Sequence, residues 1–357
     1  MIKNYLVSTG GSGGHVVPAT ILYEHLSEEA NVIISTDKRG LKYFDKNKYQ
    51  IEVIDTPKLN NILILPLSLF VILILTVKSF FLLKKKGINK VFSTGGYMSL
   101  PLVLASIILR LEIFLIEPNH ILGRANKFFL SSCKKIFCYN KEIKNFPKKF
   151  KNKISIIDPL VKKQIYELKL MKKNIEKFTI LIVGGSQGAN IFNKNLKNSI
   201  LKVSKNNSIR IIQQTYDTNI SVLKDFYSKN NLENKIFSFD RNFGSILQQT
   251  DLCITRAGAS TLAELSVINI PFIAIPLPTS KDNHQFENAN FYRNNNCCWI
   301  IEEKNFEDKI EKLLNNILND KREYLEKKES LKKLNNKNTW KNVNQKILRV
   351  INEYRVS

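Results

Sequence analysis

The stretch YLVSTGGSGGHVVPAT, residues 5–20, joins an apolar, β-branched run to a glycine-rich turn and then to a helical pattern. Two further stretches share the form: GGYMSLP at 95–101 follows Lys90 to Phe92, and GGSQGAN at 184–190 follows Ile180 to Val183. Glycine at such a turn lets the backbone approach a ligand closely. A helix opening directly behind it leaves N-terminal N–H groups facing that ligand. One such turn has a purely steric explanation. Three, divided between the two halves of the chain, point to a cleft holding a phosphorylated ligand and a second substrate.

Strand and helix patterns alternate around these turns. The first half reads as strands at Tyr5–Ser8, Val32–Ser35, Ile51–Ile54, Lys90–Phe92 and Ile113–Ile116. Helices are expected from Pro18 and Pro101, where a missing N–H costs nothing at the first helical position. A second series reads as strands at Thr179–Val183, Ile209–Gln213, Ile236–Phe239, Leu252–Thr255 and Phe272–Ile275. Alternation of this kind predicts an α/β protein with two doubly wound parallel sheets, ligands lying at the carboxyl ends of the strands. The charged segment 158–177 reads as a linker, and a Lys/Asn-rich helical tail runs from about 304 to Arg355.

At 357 residues the chain is comfortable for two domains. Its formal charge of +24 is high, and eight lysines crowd one stretch: Lys134, Lys135, Lys141, Lys144, Lys148, Lys149, Lys151 and Lys153, opposed by Glu142. No helix-turn-helix, zinc-finger or RNA-binding aromatic signature accompanies this 134–153 patch, so no nucleic-acid partner is expected. An anionic membrane surface suits it better. Five cysteines, none in a CxxC pair, read as reduced buried thiols of a cytosolic protein. A strand at the amino end reads as the absence of a signal peptide. A dehydrogenase is excluded because Val16 stands where the third glycine of a dinucleotide fingerprint is needed, although Asp37 sits near the place of a ribose-binding acid. A Walker loop is excluded because no glycine turn ends in Gly-Lys-Ser/Thr.

Residues 62–77 are almost wholly apolar, interrupted by Pro66, Ser68 and Thr76; past Lys78 and Ser79 the run continues as Phe80, Phe81, Leu82 and Leu83, then Lys84, Lys85 and Lys86. The run is long enough to cross a bilayer. A crossing would put the first glycine turn on one side of the membrane and the other two on the opposite side, so a shared cleft argues against it. A helix lying in the interface, with the lysines at the headgroups, is the better expectation for 62–86; a buried helix is the alternative.

The stretches GGSGGHVVPA, STGGYMSLP, EPNHILGRANKF, VGGSQGAN, TRAGASTLAEL and PLPTSKDNHQFENA together resemble the MurG family. That resemblance implies a GT-B fold of two Rossmann-like domains facing a cleft. Residues 1–160 would bind acceptor and membrane, 161–340 the UDP-sugar, and 341–357 would form a helix returning to the first domain. It implies inverting transfer of N-acetylglucosamine from UDP-N-acetylglucosamine to lipid I, undecaprenyl-pyrophosphoryl-muramyl-pentapeptide, by an enzyme peripheral to the cytoplasmic face of the inner membrane. An epimerase of UDP-N-acetylglucosamine, or another glycolipid glycosyltransferase of the same fold, is the alternative.

By the same resemblance His15 is the catalytic base. Ser12, Gly13 and Gly14 hold substrate oxygens, and Asn119 contacts the sugar. Ser186 meets the donor phosphates, Ala259, Ser260, Thr261, Leu262 and Ala263 line the nucleotide, Glu264 binds ribose, and Gln285 recognises sugar hydroxyls. Four of these have plainer readings: His15 as a cap or orienting group of the Pro18 helix, Asn119 as a turn former after a strand, Thr261 with Glu264 as a capping box, and Gln285 as an ordinary helix-surface residue. The chain departs from the family where Asn-Pro-Val-Arg is usual: Asp158-Pro159-Leu160-Val161 stands instead, so either Lys162, Lys163 or Arg256 faces the phosphates or that neutralisation is forgone. No Asp-x-Asp pair is present, so the expectation is catalysis with no cofactor and no protein-bound metal.

Overall fold

In a computed structural model the chain divides into two units, residues 1–160 with 339–357, and residues 161–338. The residues described are 3–45, 47–57, 63, 65–168, 177–185, 189–238, 240 and 243–353. Ser186, Ile62, Phe239 and Arg355, each used in the sequence reading, lie outside them.

The first unit is built on a seven-stranded parallel sheet of order β3-β2-β1-β4-β5-β6-β7. In chain order its elements are β1 (Asn4–Ser8), α1 (Gly13–Leu26), β2 (Asn31–Thr36), α2 (Lys38–Leu41), β3 (Ile51–Val53) and α3 (Leu65–Lys85). There follow β4 (Lys90–Ser93), α4 (Leu100–Ile108), β5 (Glu112–Glu117), α5 (Arg124–Phe129), β6 (Lys135–Cys138) and β7 (Ile154–Ile156). Tyr5, Phe92, Phe114 and Phe137 form an aromatic row on one face of the sheet, with successive centroids 5.7, 5.2 and 6.2 Å apart. Such a row buries large area across four adjacent strands and fixes their register.

α3 is the crossover between β3 and β4, two parallel strands of one sheet. A helix in that place returns the chain to the same sheet and so cannot carry it across a bilayer. Its sidedness is inverted. Ser68, Ile72, Thr76, Ser79 and Leu83 face inward, and the Thr76 and Ser79 hydroxyls donate to the Ile72 and Leu75 carbonyls of their own helix. Leu67, Phe70, Leu73, Ile74, Val77 and Phe81 point outward, each more than half exposed. The small residues let α3 approach α4 closely; the large apolar ones are left on the surface.

The second unit carries a six-stranded parallel sheet of order β10-β9-β8-β11-β12-β13. Its elements begin with α6 (Lys163–Leu168), β8 (Phe178–Val183), α7 (Ala189–Ile191), a π-helical turn (Phe192–Leu196), α8 (Lys197–Ser204) and β9 (Ile209–Gln214). They continue with α9 (Ile220–Lys229), β10 (Asn234–Phe237), α10 (Phe243–Gln248), β11 (Leu252–Thr255), α11 (Ala259–Val267), β12 (Phe272–Ala274) and α12 (His284–Asn294). Last come β13 (Cys298–Ile300), α13 (Phe306–Asn319) and α14 (Lys321–Leu334). Ile180 and Ile182 of β8 face one core while Leu181 and Val183 face the other, as a strand covered on both sides requires.

The final helix, α15 (Trp340–Asn352), packs back on the first unit, sending Val343, Ile347 and Ile351 into the core that holds the aromatic row. Three strands escaped the sequence reading. β6, β7 and β13 are three or four residues long, and the first two lie among lysines that dilute their apolar signal. β10 also sits two residues earlier than expected, pairing Phe237 with Gln214.

Candidate active site

In each sheet the strand order reverses beside the first strand of the series, between β1 and β4 and between β8 and β11. Parallel sheets open a crevice at such points, beyond the carboxyl ends of the strands. In the first unit the glycine turns after β1 and β4 occupy that place. Thr94 Oγ1 donates to Thr9 Oγ1 at 2.9 Å and ties the two turns together.

Gly11 has φ +77°, so the chain reverses there and enters α1 directly at Gly13. The Ser12 carbonyl accepts from His15 and Val16, which starts the helix five residues ahead of the expected entry. Pro18 therefore stands inside the helix, at the loss of one backbone bond. Ser12 is the N-cap residue, and the Gly13 and Gly14 N–H groups fall ahead of the first helical bonds.

His15, on the first turn of α1, is half-buried with Nδ1 2.8 Å from the Thr94 carbonyl. A carbonyl only accepts, so in the neutral ring Nδ1 carries the proton and the lone pair is on Nε2. That is the tautomer a base needs. Nε2 lies over the second turn, 3.5 Å from where a Cβ on Gly96 would stand.

Buried carboxylates organise both edges of this crevice, and sequence reading gave neither its role. Asp37 accepts from the Gly11 and Gly40 N–H groups, each at 2.8 Å, and from Arg39 Nε at 2.8 Å. Burial pushes this carboxyl up, but the three donors outweigh it and hold the group below the usual range. It is a brace for the first glycine turn. Glu117, at the end of β5, accepts from the Asn119 N–H and side chain at 3.2 and 3.1 Å, Gly123 N–H at 2.8 Å and Asn126 Nδ2 at 3.0 Å. Asn126 packs under Gly95, where a Cβ would come within 3.2 Å of its side chain. Glu117 thus holds Asn119 in place and supports the second turn; its one sequence signal is an acid immediately before Pro118-Asn119 at a strand end.

In the second unit α11 begins at Ala259 behind Gly258, with Ala259, Ser260 and Thr261 half-exposed on its first turn. Leu262 and Ala263 turn their side chains into the core, and the Leu262 N–H bonds the Gly258 carbonyl. Glu264 is the sixth residue of this helix, so the capping-box reading fails. The residue is 9 % exposed; burial lifts its carboxyl to about 7, against the pull of Lys162. Gln285, second residue of α12, accepts from the Leu277 N–H at 2.9 Å and so fixes the loop leading into its helix. Asn288 Nδ2 bonds the Ala257 carbonyl and ties α12 to the turn before α11.

Val161 lies in the second unit's hydrophobic core. Arg256 is also committed: it pairs with Glu303 at 2.6 Å and donates to the Ile275 carbonyl. Lys162, just before α6, and Lys163, its first residue, remain exposed. Within the lysine patch, Lys153 donates to the Leu130, Ser131 and Cys133 carbonyls and Lys135 to the Asn152 carbonyl. Those two are structural, and the patch is smaller than its sequence suggested.

Residues 5–138 match the glycosyltransferase family 28 N-terminal domain, and 179–345 the family 28 C-terminal domain. A curated relative from Pelagibacter ubique is 48% identical over 356 residues, covering 99% of this chain and all of its own. It is named a UDP-N-acetylglucosamine--N-acetylmuramyl-(pentapeptide) pyrophosphoryl-undecaprenol N-acetylglucosamine transferase. The chain belongs to the MurG family. A relative of the same name from Rickettsia felis is 34% identical over 88% of this chain and 92% of its own. The crystal structure of Acinetobacter baumannii MurG superposes with a TM-score of 0.77 at 22% identity, covering 98% of this chain and 99% of that one. The MurG-family chain therefore carries the two Rossmann-like domains of a GT-B glycosyltransferase.

Proposed function

We propose that the chain transfers N-acetylglucosamine from UDP-N-acetylglucosamine to the muramyl 4-hydroxyl of lipid I, forming lipid II for peptidoglycan synthesis. The observation that carries this reading is 48% identity, end to end, with a relative named for that transfer. His15 Nε2 takes the proton of the acceptor hydroxyl. The oxygen attacks the sugar C1 from the face opposite UDP, the bond from C1 to the diphosphate oxygen breaks, and both its electrons leave with UDP. The anomeric centre inverts.

Ser12, Gly13 and Gly14 steady substrate oxygens at the start of α1, and Asn119 contacts the sugar. Ser186 and the first turn of α11, Ala259 to Thr261 with Leu262 and Ala263 behind, line the nucleotide. Glu264 binds the ribose hydroxyls and Gln285 the sugar hydroxyls. The first unit takes the acceptor and the second the donor. The enzyme sits peripherally on the cytoplasmic face of the inner membrane, α3 lying in the lipid surface, with Lys84 to Lys86 and the exposed lysines of 134–153 at anionic headgroups.

The test is transfer of labelled N-acetylglucosamine to a soluble lipid I analogue, with and without a chelator. Chelator-insensitive product is expected; no product would sink the reading. His15→Ala should lower kcat by roughly 10²–10⁴-fold while UDP binding is retained. Loss of UDP binding with it would make His15 a structural residue.

A further inference from the structure

The proposed acceptor carries a diphosphate, and a binding surface must offset its charge. At the first glycine turn the buried charge is a carboxylate, Asp37, of the sign that repels such a group. Arg39 corrects this. Its Nε and Nη2 both reach Asp37 Oδ2, and its guanidinium carbon lies 5.0 Å from the centroid of the Tyr97 ring. Tyr97 immediately follows the second glycine turn. The guanidinium is thus held between the two turns at the carboxyl ends of β1, β2 and β4, with its side chain 36% exposed. The next residue, Gly40, approaches Gly10 so closely that a Cβ on it would stand 2.9 Å from the Gly10 Cα. That fit leaves α2, and Arg39 with it, little freedom beside the turn.

An arginine has five N–H donors in a fixed plane. Asp37 takes those on one edge, and Tyr97 covers a face. The remaining edge suits the paired oxygens of a phosphate, which a planar fork meets in bidentate fashion. Lys42, exposed three residues further on, holds its ammonium 5.1 Å from the centroid of the Tyr43 ring, and that ring stands 3.7 Å from where a Cβ on Gly13 would be.

We propose that Arg39 binds the diphosphate of the polyprenyl acceptor, next to the first glycine turn. This rests on the reading of the chain as a lipid I glycosyltransferase. The diphosphate of UDP has the same chemistry; Arg39 stands in the first unit, which is why the acceptor is chosen. The same group would otherwise be a brace for Asp37 alone.

The test titrates geranyl diphosphate, geranyl monophosphate, geraniol and UDP separately into the full-length chain and into Arg39→Gln and Arg39→Lys. The lysine variant keeps the charge beside Asp37 and so the turn, but loses the fork. Geranyl diphosphate should bind at least tenfold more weakly to Arg39→Gln and several-fold more weakly to Arg39→Lys. Geraniol and UDP should be unchanged. In steady state the KM for a lipid I analogue should rise at least tenfold while that for UDP-N-acetylglucosamine holds. Equal weakening of geraniol and its diphosphate, unaltered diphosphate binding to both variants, or a matching loss of UDP affinity would each overturn the assignment. Arg39-dependent diphosphate binding in a chain that transfers no sugar to lipid I would uphold it and reject the functional reading instead.

Discussion

Glu264 is a carboxyl that burial lifts to about 7, on the helix α11 that we propose lines the nucleotide. Ribose hydroxyls donate to an ionised carboxylate more strongly than to its acid form. The KM for UDP-N-acetylglucosamine should therefore rise as pH falls from 8 through 7 to 6. In Glu264→Gln it should be about tenfold higher and flat across that range. Stability should run the other way. An acid whose pKa is raised on folding favours the folded state below its unfolded value near 4.5, and that advantage is lost as pH climbs through 7. Glu264→Gln should thus melt at a higher temperature than wild type at pH 8. An unchanged midpoint together with an unchanged KM would remove Glu264 from the donor site. Residues of this kind resist sequence reading because the letter E says nothing about burial. Asp37 and Glu117 were illegible for the same reason: their partners are backbone N–H groups from turns that only the folded sheet brings near them. His15 and the glycine turns were legible because positive φ and a helix start leave their mark in adjacent residues.

α3 is legible as a long apolar helix, but its sidedness is not. An apolar run gives no stripe to follow, and the decisive pattern is the inward row of Ser68, Thr76 and Ser79, which reads as interruption until α4 is seen against it. Fully burying one exposed leucine or phenylalanine in lipid is worth on the order of 2 kcal/mol. The outward face carries seven large apolar residues more than half exposed, Leu69 among them, a large attachment energy if half of each is buried. Phe70→Glu with Leu73→Glu should cut co-sedimentation with vesicles containing phosphatidylglycerol by at least tenfold. Turnover on a soluble acceptor analogue should be unaffected. If the double variant still pellets with vesicles, the face serves something other than lipid. The glycine-flanked strands were read almost to the residue, whereas α1 was misplaced because Pro18 resembles a helix start and is an interior proline. β6 and β7 were missed because the lysines around them dilute the apolar signal, since β3 and β12 are no longer and were read.

Across the molecule, the first unit is closed by its last helix. His25 at the end of α1 is fully buried and stacks on Trp340 of α15, ring centroids 3.7 Å apart. Around it Asn344 and Trp340 bond Glu28, and Lys346 pairs with Asp158 at 2.5 Å. Burial lowers the His25 pKa to about 3, so the folded chain keeps this ring neutral while the unfolded chain protonates it below about 6.5. Folding should therefore weaken as pH drops from 6.5 towards 3, by about 2 kcal/mol at pH 5 from this group alone. His25→Phe, which keeps a ring against Trp340, should show a correspondingly smaller difference in urea midpoint between pH 7 and pH 5. An undiminished difference would place the acid sensitivity elsewhere. The same closure has a temporal side. A ribosome that has finished β7 must still make the whole second unit before Val343, Ile347 and Ile351 emerge to complete the first. At roughly 5–20 residues per second that interval is on the order of tens of seconds. For that time a nascent amino-terminal half waits with an open core and an exposed apolar helix, and it has every reason to find a chaperone or a bilayer before it finds its own tail.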